Sequence, residues 1–151
     1  MTLWEFGFDH RTAAWIWEGF GMYLTRELVG TRYTWYGSAP SQTDPEQKEL
    51  LGKLMMSDVN WMNEAYQRAK RGRTPPLAKV FERKIDALGV DDVTLAYSFC
   101  AYLVEGRPDQ LHDVLARIGT GETSGAAVAG VLGVELPVLD KTFLRWMGER
   151  K

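Results

Sequence analysis

The chain has 151 residues, of which 45% are hydrophobic and 25% are charged, and its formal net charge is -2. This composition is typical of a soluble globular domain and excludes disordered and collagen-like chains. The near balance of basic and acidic residues indicates neither a nucleic-acid-binding surface nor a polybasic membrane surface. The length favours a single domain over residues 1–151.

The sequence carries no pattern typical of export or of membrane insertion. Residues 1–10 lack both a basic start and an apolar stretch of signal-peptide length, and no apolar run approaches the ~18 residues that span a bilayer. Cys100 is the one cysteine of the chain and lies in an apolar run, where a thiol behaves as a small hydrophobic group. We therefore expect a soluble protein and leave its compartment open.

The first predicted helix spans residues 12–29 and ends at Gly30. Glu18 is the only charged residue between positions 13 and 22, so we expect this part of the helix to be buried. The following segment, residues 31–43, has no helical period and is predicted to be an ordered loop.

A second long helix is predicted to begin at Asp44 and Pro45, because Asp44 can accept hydrogen bonds from free amides and proline suits the first helical position. An apolar stripe with a period of 3.6 residues continues this helix to Gly72. The stripe consists of Leu51, Leu54, Met55, Met62, Ala65, Tyr66 and Ala69.

The rest of the chain is also predicted to be helical. The stretch 95–104 contains no charged residue, which indicates the central buried helix of the fold. Other helices are predicted over residues 77–88, 108–118, 123–132 and 137–147. With about seven helices and no strand-like alternation, the sequence predicts an all-α domain.

Glu18 is the residue whose surroundings most need a physical explanation. A carboxylate among indole and aliphatic side chains is costly to desolvate unless a cation or hydrogen-bond donors meet it. Two explanations for the position of Glu18 are an ion pair with an arginine such as Arg11 and exposure on a narrow polar stripe. Composition alone favours these two explanations. The third explanation is that Glu18 is a metal ligand.

The segment 15–23, WIWEGFGMY, resembles the Trp-Leu-x-Glu-Gly-Phe/Leu-Ala-x-Tyr segment of the gluzincin zinc metallopeptidases. This resemblance implies that Glu18 is the third zinc ligand and that the fold is similar to the distal helical lobe of these enzymes. Residues 96–104 are similar to a later gluzincin helix, whose tyrosine hydrogen-bonds the developing oxyanion. That similarity implies a catalytic role for Tyr97; the alternative is a core aromatic residue with its hydroxyl on a backbone carbonyl. Residues 109–146 resemble the helical tail of related bacterial peptidase-like proteins.

The sequence departs from the gluzincins because it lacks their His-Glu-x-x-His motif, which supplies two zinc ligands and the glutamate that activates water. Its two histidines are His10 and His112, and neither lies in such a motif. We expect His10 to be a solvated terminal residue and His112 to be exposed.

From the resemblance we expect this chain to be the C-terminal helical part of a larger metallopeptidase-like protein, whose His-Glu-x-x-His helix would precede Met1. The complete parent would be a zinc-dependent peptide hydrolase with peptide substrates. Its missing N-terminal peptidase subdomain would be the partner of this domain. The chain alone should neither bind zinc nor cleave peptides, because a catalytic zinc site normally uses three protein ligands.

The main alternative is a stand-alone helical protein-interaction module, whose tryptophan-rich first helix docks a partner. A weaker alternative is a small-molecule binder with an aromatic pocket between helices. In the peptidase interpretation Glu18 and Tyr97 should lie on the same side of a cleft. An ion pair between Glu18 and an arginine, far from Tyr97, would favour the interaction module.

Overall fold

The computed structural model describes residues 3–8, 13–30, 44–56 and 58–150. These residues form helices and connecting segments and contain no strand, so the prediction of an all-α fold is confirmed. None of the helices in these ranges is both long enough and apolar enough to cross a bilayer. The predicted loop 31–43 and His10 lie outside the described residues.

Eight α-helices lie in the described part of the chain, one more than the sequence predicts. They are α1 (Ala14–Leu24), α2 (Pro45–Leu54), α3 (Trp61–Lys70), α4 (Leu77–Glu82), α5 (Val90–Ala101), α6 (Pro108–Gly119), α7 (Ser124–Leu132) and α8 (Leu136–Arg150). A π-helical turn extends α1 over Thr25–Val29, and another extends α5 over Tyr102–Gly106. Short 3-10 helices cover Leu3–Phe6 and Ile85–Ala87.

The predicted long helix after Asp44 is two helices, α2 and α3. The side chain of Asn60 accepts a hydrogen bond from the backbone N–H of Asn63 and thereby caps the start of α3. The indole Nε1 of Trp61 donates to the carbonyl oxygen of Leu54 at 3.1 Å, which satisfies an acceptor at the end of α2. Met55, which the stripe placed in the core, is 51% exposed at the break.

The predicted start of α2 is confirmed. The Asp44 side chain accepts hydrogen bonds from the backbone N–H groups of Glu46 and Gln47. The Oε1 atom of Gln47 in turn accepts from the backbone N–H of Val90, at 3.2 Å. One side chain of α2 therefore satisfies an amide at the start of α5.

The predicted central helix is confirmed as α5, in which every residue from Asp92 to Ala101 is buried. Helix α1 packs along it more extensively than any other helix does. The backbones come close at Gly19, where an added Cβ would lie 2.7 Å from the carbonyl oxygen of Ala96. The buried thiol of Cys100 lies at the same contact, as expected of a small hydrophobic group.

The helix predicted over residues 77–88 is interrupted. Helix α4 ends at Glu82, and the extended residues Arg83 and Lys84 separate it from the short 3-10 helix that follows. The guanidinium of Arg83 donates to the carbonyl oxygen of Ala87 at 3.1 Å and lies 3.2 Å from the carboxylate of Asp92. These contacts hold the connection against the start of α5.

Candidate functional site

Glu18 lies at the border between the buried and the exposed surface of α1. Trp15 and Met22, one turn before and after it, are buried, whereas Gly21 is exposed. The Glu18 side chain is partly buried, and burial raises the pKa of its carboxyl above the ordinary value of 4.5. Among the described residues it has no hydrogen-bond or ion-pair partner.

The described residues do not form a complete zinc site. They contain no group of three or more histidine, cysteine, aspartate and glutamate side chains that could hold a metal ion. His112 is exposed, as predicted, and lies beside Asp113 and the ring of Phe6 on the outer surface of α6. His10 and Arg11, the arginine considered as a partner for Glu18, lie outside the described residues. Within the described part, Glu18 could therefore supply one zinc ligand, and no catalytic step follows from that alone.

Tyr97 occupies the middle of α5 and is 6% exposed. Its ring contacts Trp61 at a centroid distance of 5.4 Å and Tyr23 at 6.4 Å. Within the described ranges no partner hydrogen-bonds its hydroxyl group. Burial is the main cause that raises the pKa of Tyr97 to about 12, so the phenol stays protonated at neutral pH and can donate a hydrogen bond.

Tyr97 lines a cleft of about 310 Å³, which we call the Tyr97 cleft, together with charged side chains that include Arg26, Glu27, Glu105 and Arg150. Arg26 lies over the ring of Trp61, with its guanidinium carbon 5.4 Å from the ring centroid. A phenol and a guanidinium are both hydrogen-bond donors, so this cleft could bind a carbonyl oxygen. Its acidic side chains Glu27, Asp58 and Glu105 outnumber its two arginines and disfavour an anion.

Two of the charged residues in the cleft form a network with Tyr23 of α1. The Tyr23 hydroxyl donates to Glu105 Oε1 at 3.3 Å, and Arg150 Nη1 donates to Glu105 Oε2 at 2.5 Å. Burial, followed by the charge of Glu105, raises the pKa of Tyr23 to about 12. This network joins the ends of α1, α5 and α8 around the cleft.

Among the residues that the structure describes, Glu18 and Tyr97 are not brought into one cleft. Tyr23, whose ring contacts Tyr97, follows Glu18 by five residues and so lies about 140° away from it around the axis of α1. Glu18 is not among the residues that line the Tyr97 cleft. The two predicted site residues belong to adjacent helices but lie toward different flanks of α1.

The sequence does not predict Arg26, Glu105 and Arg150 as residues of the cleft. Arg26 lies in the π-helical turn after α1, Glu105 lies in the turn after α5, and Arg150 is the last residue of α8. Their positions are separated by 79 and 45 residues, and no local spacing relates them. Only the packing of the helix ends brings these charges together.

Comparison of the chain with models of protein families, with curated proteins and with solved structures finds no match. The resemblance to the gluzincins therefore depends on the quoted residues of the sequence alone.

Proposed function

We propose that this chain is the helical part of a gluzincin-type zinc metallopeptidase, in which Glu18 is one zinc ligand and another segment of polypeptide supplies His-Glu-x-x-His. The observation that carries the proposal is the partly buried Glu18 carboxylate, which has no partner among the described residues and lies in the gluzincin-like segment 15–23.

The physical argument concerns the energy of the ionised carboxylate. Partial burial disfavours the charge on Glu18, and the described part of the chain provides no cation to offset it. A divalent ion held mainly by two histidines of another segment would favour the ionised form. When bound in this way, zinc supplies Lewis-acid activation of the peptide carbonyl and of the attacking water. Without the other ligands, the chain alone is expected to be inactive.

Tyr97 has a separate place in this proposal. Its protonated hydroxyl group lacks a partner in the described part, which suits a donor to a substrate oxygen. Because Tyr97 and Glu18 lie toward different flanks of α1, this role requires the parent protein to place substrate in the Tyr97 cleft. An oxyanion donor and the zinc ion act on the same substrate carbonyl, so this role also depends on the zinc-ligand role of Glu18, and it stays a prediction.

The experiment uses the longest open reading frame that contains this chain. If the proposal is correct, that frame or a co-purifying polypeptide contains His-Glu-x-x-His. The purified protein then binds one zinc ion per chain and cleaves peptides. Glu18→Gln should weaken zinc binding at least about tenfold, whereas Glu82→Gln, at an exposed glutamate of α4, should not. Zinc content and zinc affinity are measured by elemental analysis and chelator competition.

Two results would reject the proposal. One is the absence of His-Glu-x-x-His from the full reading frame and from any co-purifying chain. The other is zinc binding that Glu18→Gln leaves unchanged. Cleavage of peptides by the chain alone would reject the expectation that it is inactive without a second segment.

A second candidate function is the helical interaction module, and one observation favours it. Leu24 is 47% exposed and Leu28 is 77% exposed, and they lie one turn apart at the end of α1 and in the turn that follows. Exposed leucines on neighbouring turns are typical of a surface that docks another protein. In this case Leu28→Ser should weaken capture of the partner, and Glu18→Gln should have no effect on it.

A further inference from the structure

Another cavity lies between α8, the end of α3 and the segment that joins α3 to α4. It has a volume of about 270 Å³. We call it the Asp140 pocket. Neither Glu18 nor Tyr97 lines it, so an inference about this pocket does not depend on the proposed peptidase function.

Helix α8 presents one of its faces to the pocket. Asp140, Phe143, Leu144 and Met147 all line it, and residues with this spacing share one face of a helix. The Asp140 side chain therefore points toward the same cavity as its three apolar neighbours. Among the described residues that line the pocket, Asp140 is the only charged one.

One oxygen of the Asp140 carboxylate has a partner and the other does not. Oδ1 accepts a hydrogen bond from the backbone N–H of Leu77 at 3.1 Å, which fixes the carboxylate beside the start of α4. Within the described ranges Oδ2 has no hydrogen-bond partner. Oδ2 is also accessible, because Asp92 Oδ1 is the one side-chain oxygen or nitrogen of these ranges that is both buried and unpartnered. A molecule in the pocket can therefore donate a hydrogen bond to Oδ2.

The negative charge of Asp140 is not offset by a neighbouring cation. In the described part of the chain no ion pair involves this residue. Burial raises the pKa of its carboxyl above the ordinary value of 3.8, and the amide of Leu77 opposes this effect. A partly buried carboxylate beside an apolar cavity is stabilised when a cation approaches it.

We propose that the Asp140 pocket binds a small primary amine, whose ammonium group donates to Asp140 Oδ2 and whose apolar body lies against Pro75, Pro76 and Leu144. These three residues line the pocket and are partly or fully exposed, so a ligand can remove apolar surface from water there. The pocket is slightly smaller than the ~300–1,000 Å³ that is typical of sites for drug-sized ligands. The apolar body is therefore a short alkyl chain or a single ring.

Other classes of ligand fit the Asp140 pocket less well. A guanidinium binds a carboxylate best through two parallel hydrogen bonds, and Oδ1 is already used by Leu77. A hard metal ion needs about six oxygen ligands, whereas the described lining provides one carboxylate. An anion would be repelled by Asp140, and a neutral apolar molecule would exclude water from Oδ2 without replacing its hydrogen bond.

The test is thermal unfolding of the purified chain with butylammonium, hexylammonium and phenethylammonium, at constant ionic strength. Three control probes separate the features of the ligand: methylammonium has the charge without the apolar body, hexanol has the body without the charge, and hexanoate has the opposite charge. At least one of the three amines should raise the Tm by about 2–4 °C, and no control probe should do so. Calorimetric titration of that amine then gives its Kd.

Two variants show whether the amine binds at Asp140. Asp140→Asn removes the charge, while its side-chain oxygen can still accept from the Leu77 amide. Leu144→Lys places an ammonium group one turn after Asp140 in α8, where it can pair with the carboxylate in place of the ligand. Each variant should raise the Kd at least about tenfold.

The matched control is Asp109→Asn, at an exposed aspartate of α6 that does not line the pocket, and it should leave the Kd unchanged. Leu144 is partly exposed and its replacement adds a favourable charge pair. Leu144→Lys therefore tests the site even if Asp140→Asn fails to fold.

Three results would overturn the proposal. The first is the absence of a Tm increase with all three amines. The second is an equal increase with hexanol or with methylammonium, which would indicate a site that recognises only an apolar body or only a positive charge. The third is a Kd that both Asp140→Asn and Leu144→Lys leave unchanged, which would place the binding elsewhere. None of these results bears on zinc binding by Glu18.

Discussion

Gly19 of α1 lies so close to Ala96 of α5 that a Cβ on Gly19 would be 2.7 Å from the Ala96 carbonyl oxygen. The same Cβ would lie 2.7 Å from the sulfur of Cys100. A glycine at this position therefore allows the helix that carries Glu18 to pack against the helix that carries Tyr97.

We expect Gly19→Ala to lower the free energy of unfolding by about 1–3 kcal/mol, because the Ala96 carbonyl is backbone and cannot easily move away from a methyl group. Gly21→Ala is the matched control. Gly21 is exposed in the same helix and has no atom within 4 Å of an added Cβ. Gly21→Ala should therefore raise the free energy of unfolding by about 0.5–1 kcal/mol. Urea denaturation measures both. Equal stability of the two variants would contradict the close contact.

The ion pair between Arg68 and Asp91 should contribute to stability more than an exposed pair does. Its side chains are 12% and 13% exposed, and two hydrogen bonds join them. A double-mutant cycle with Arg68→Met and Asp91→Asn should give a coupling energy of about 1–3 kcal/mol that changes little with salt.

The matched control for this cycle is the pair of Glu49 and Lys53 on the surface of α2, whose side chains are 68% and 48% exposed. Its coupling energy should be much smaller and should fall further in high salt. A coupling energy for Arg68 and Asp91 no larger than that of the surface pair would refute the prediction.

Glu18 should make the stability of the isolated chain depend on pH. Burial raises the pKa of Glu18 in the folded state, so folding favours its protonated form. The stabilisation is complete below the ordinary value of 4.5 and is lost as the pH rises through the higher folded-state pKa. Glu18→Gln should therefore be more stable than the unchanged chain at pH 7, and the difference should shrink below pH 4.5.

Urea denaturation across this pH range, with Glu82→Gln as the control, measures the effect of Glu18. The control glutamate is exposed, so its replacement should not reproduce the pH-dependent difference. A pH-independent difference for Glu18→Gln would mean that the carboxylate is not desolvated by the fold.

The phenol of Tyr97 should titrate at about pH 12 in the folded chain because it is buried. Tyr97→Phe should remove one tyrosine that ionises near this pH, as followed by the absorbance of the tyrosinate ion. The raised pKa also means that the stabilisation contributed by protonated Tyr97 is lost as the pH rises from 10 toward 12. The urea-unfolded chain is the reference, in which this phenol returns to its ordinary pKa. An unchanged titration near pH 12 in Tyr97→Phe would contradict the assignment.

The sequence was sufficient to predict the central helix and the helix that packs along it. The charge-free stretch 95–104 predicts a buried helix without tertiary information, because an uncharged helical surface must be buried. Residues 13–22 are helical as predicted, but they are buried on one face only, since Gly21 is exposed and Trp17 and Phe20 are partly exposed. The cap at Asp44 was predictable for a similar reason, since the acceptor and the amides that it satisfies are neighbours in the chain.

The break between α2 and α3 was not predicted, because the apolar residues on either side of it continue the same helical stripe. The structure replaces the intrahelical partner of Leu54 with the indole of Trp61, and that contact depends on the three-dimensional turn between the helices. Asn60 caps the start of α3 and was the local signal for a second helix. Met55 and Met62 fit the period of one continuous helix, so the sequence favoured an unbroken helix instead.

The candidate site was predictable only in part. The isolation of Glu18 among apolar residues follows from its neighbours in the sequence, and its raised pKa agrees with that pattern. The Tyr97 cleft depends on Arg26, Glu105 and Arg150, which meet at the ends of three helices. Their distances are set by helix packing, which no sequence spacing encodes.

The hydrogen bond from Val90 to Gln47 has a consequence for the order of assembly, because it joins residues 43 positions apart. The first turn of the central helix gains this partner only after α2 has docked on it. Docking of α2 on α5 should therefore slow the exchange of the Val90 amide hydrogen, so this amide reports the assembly of the two helices.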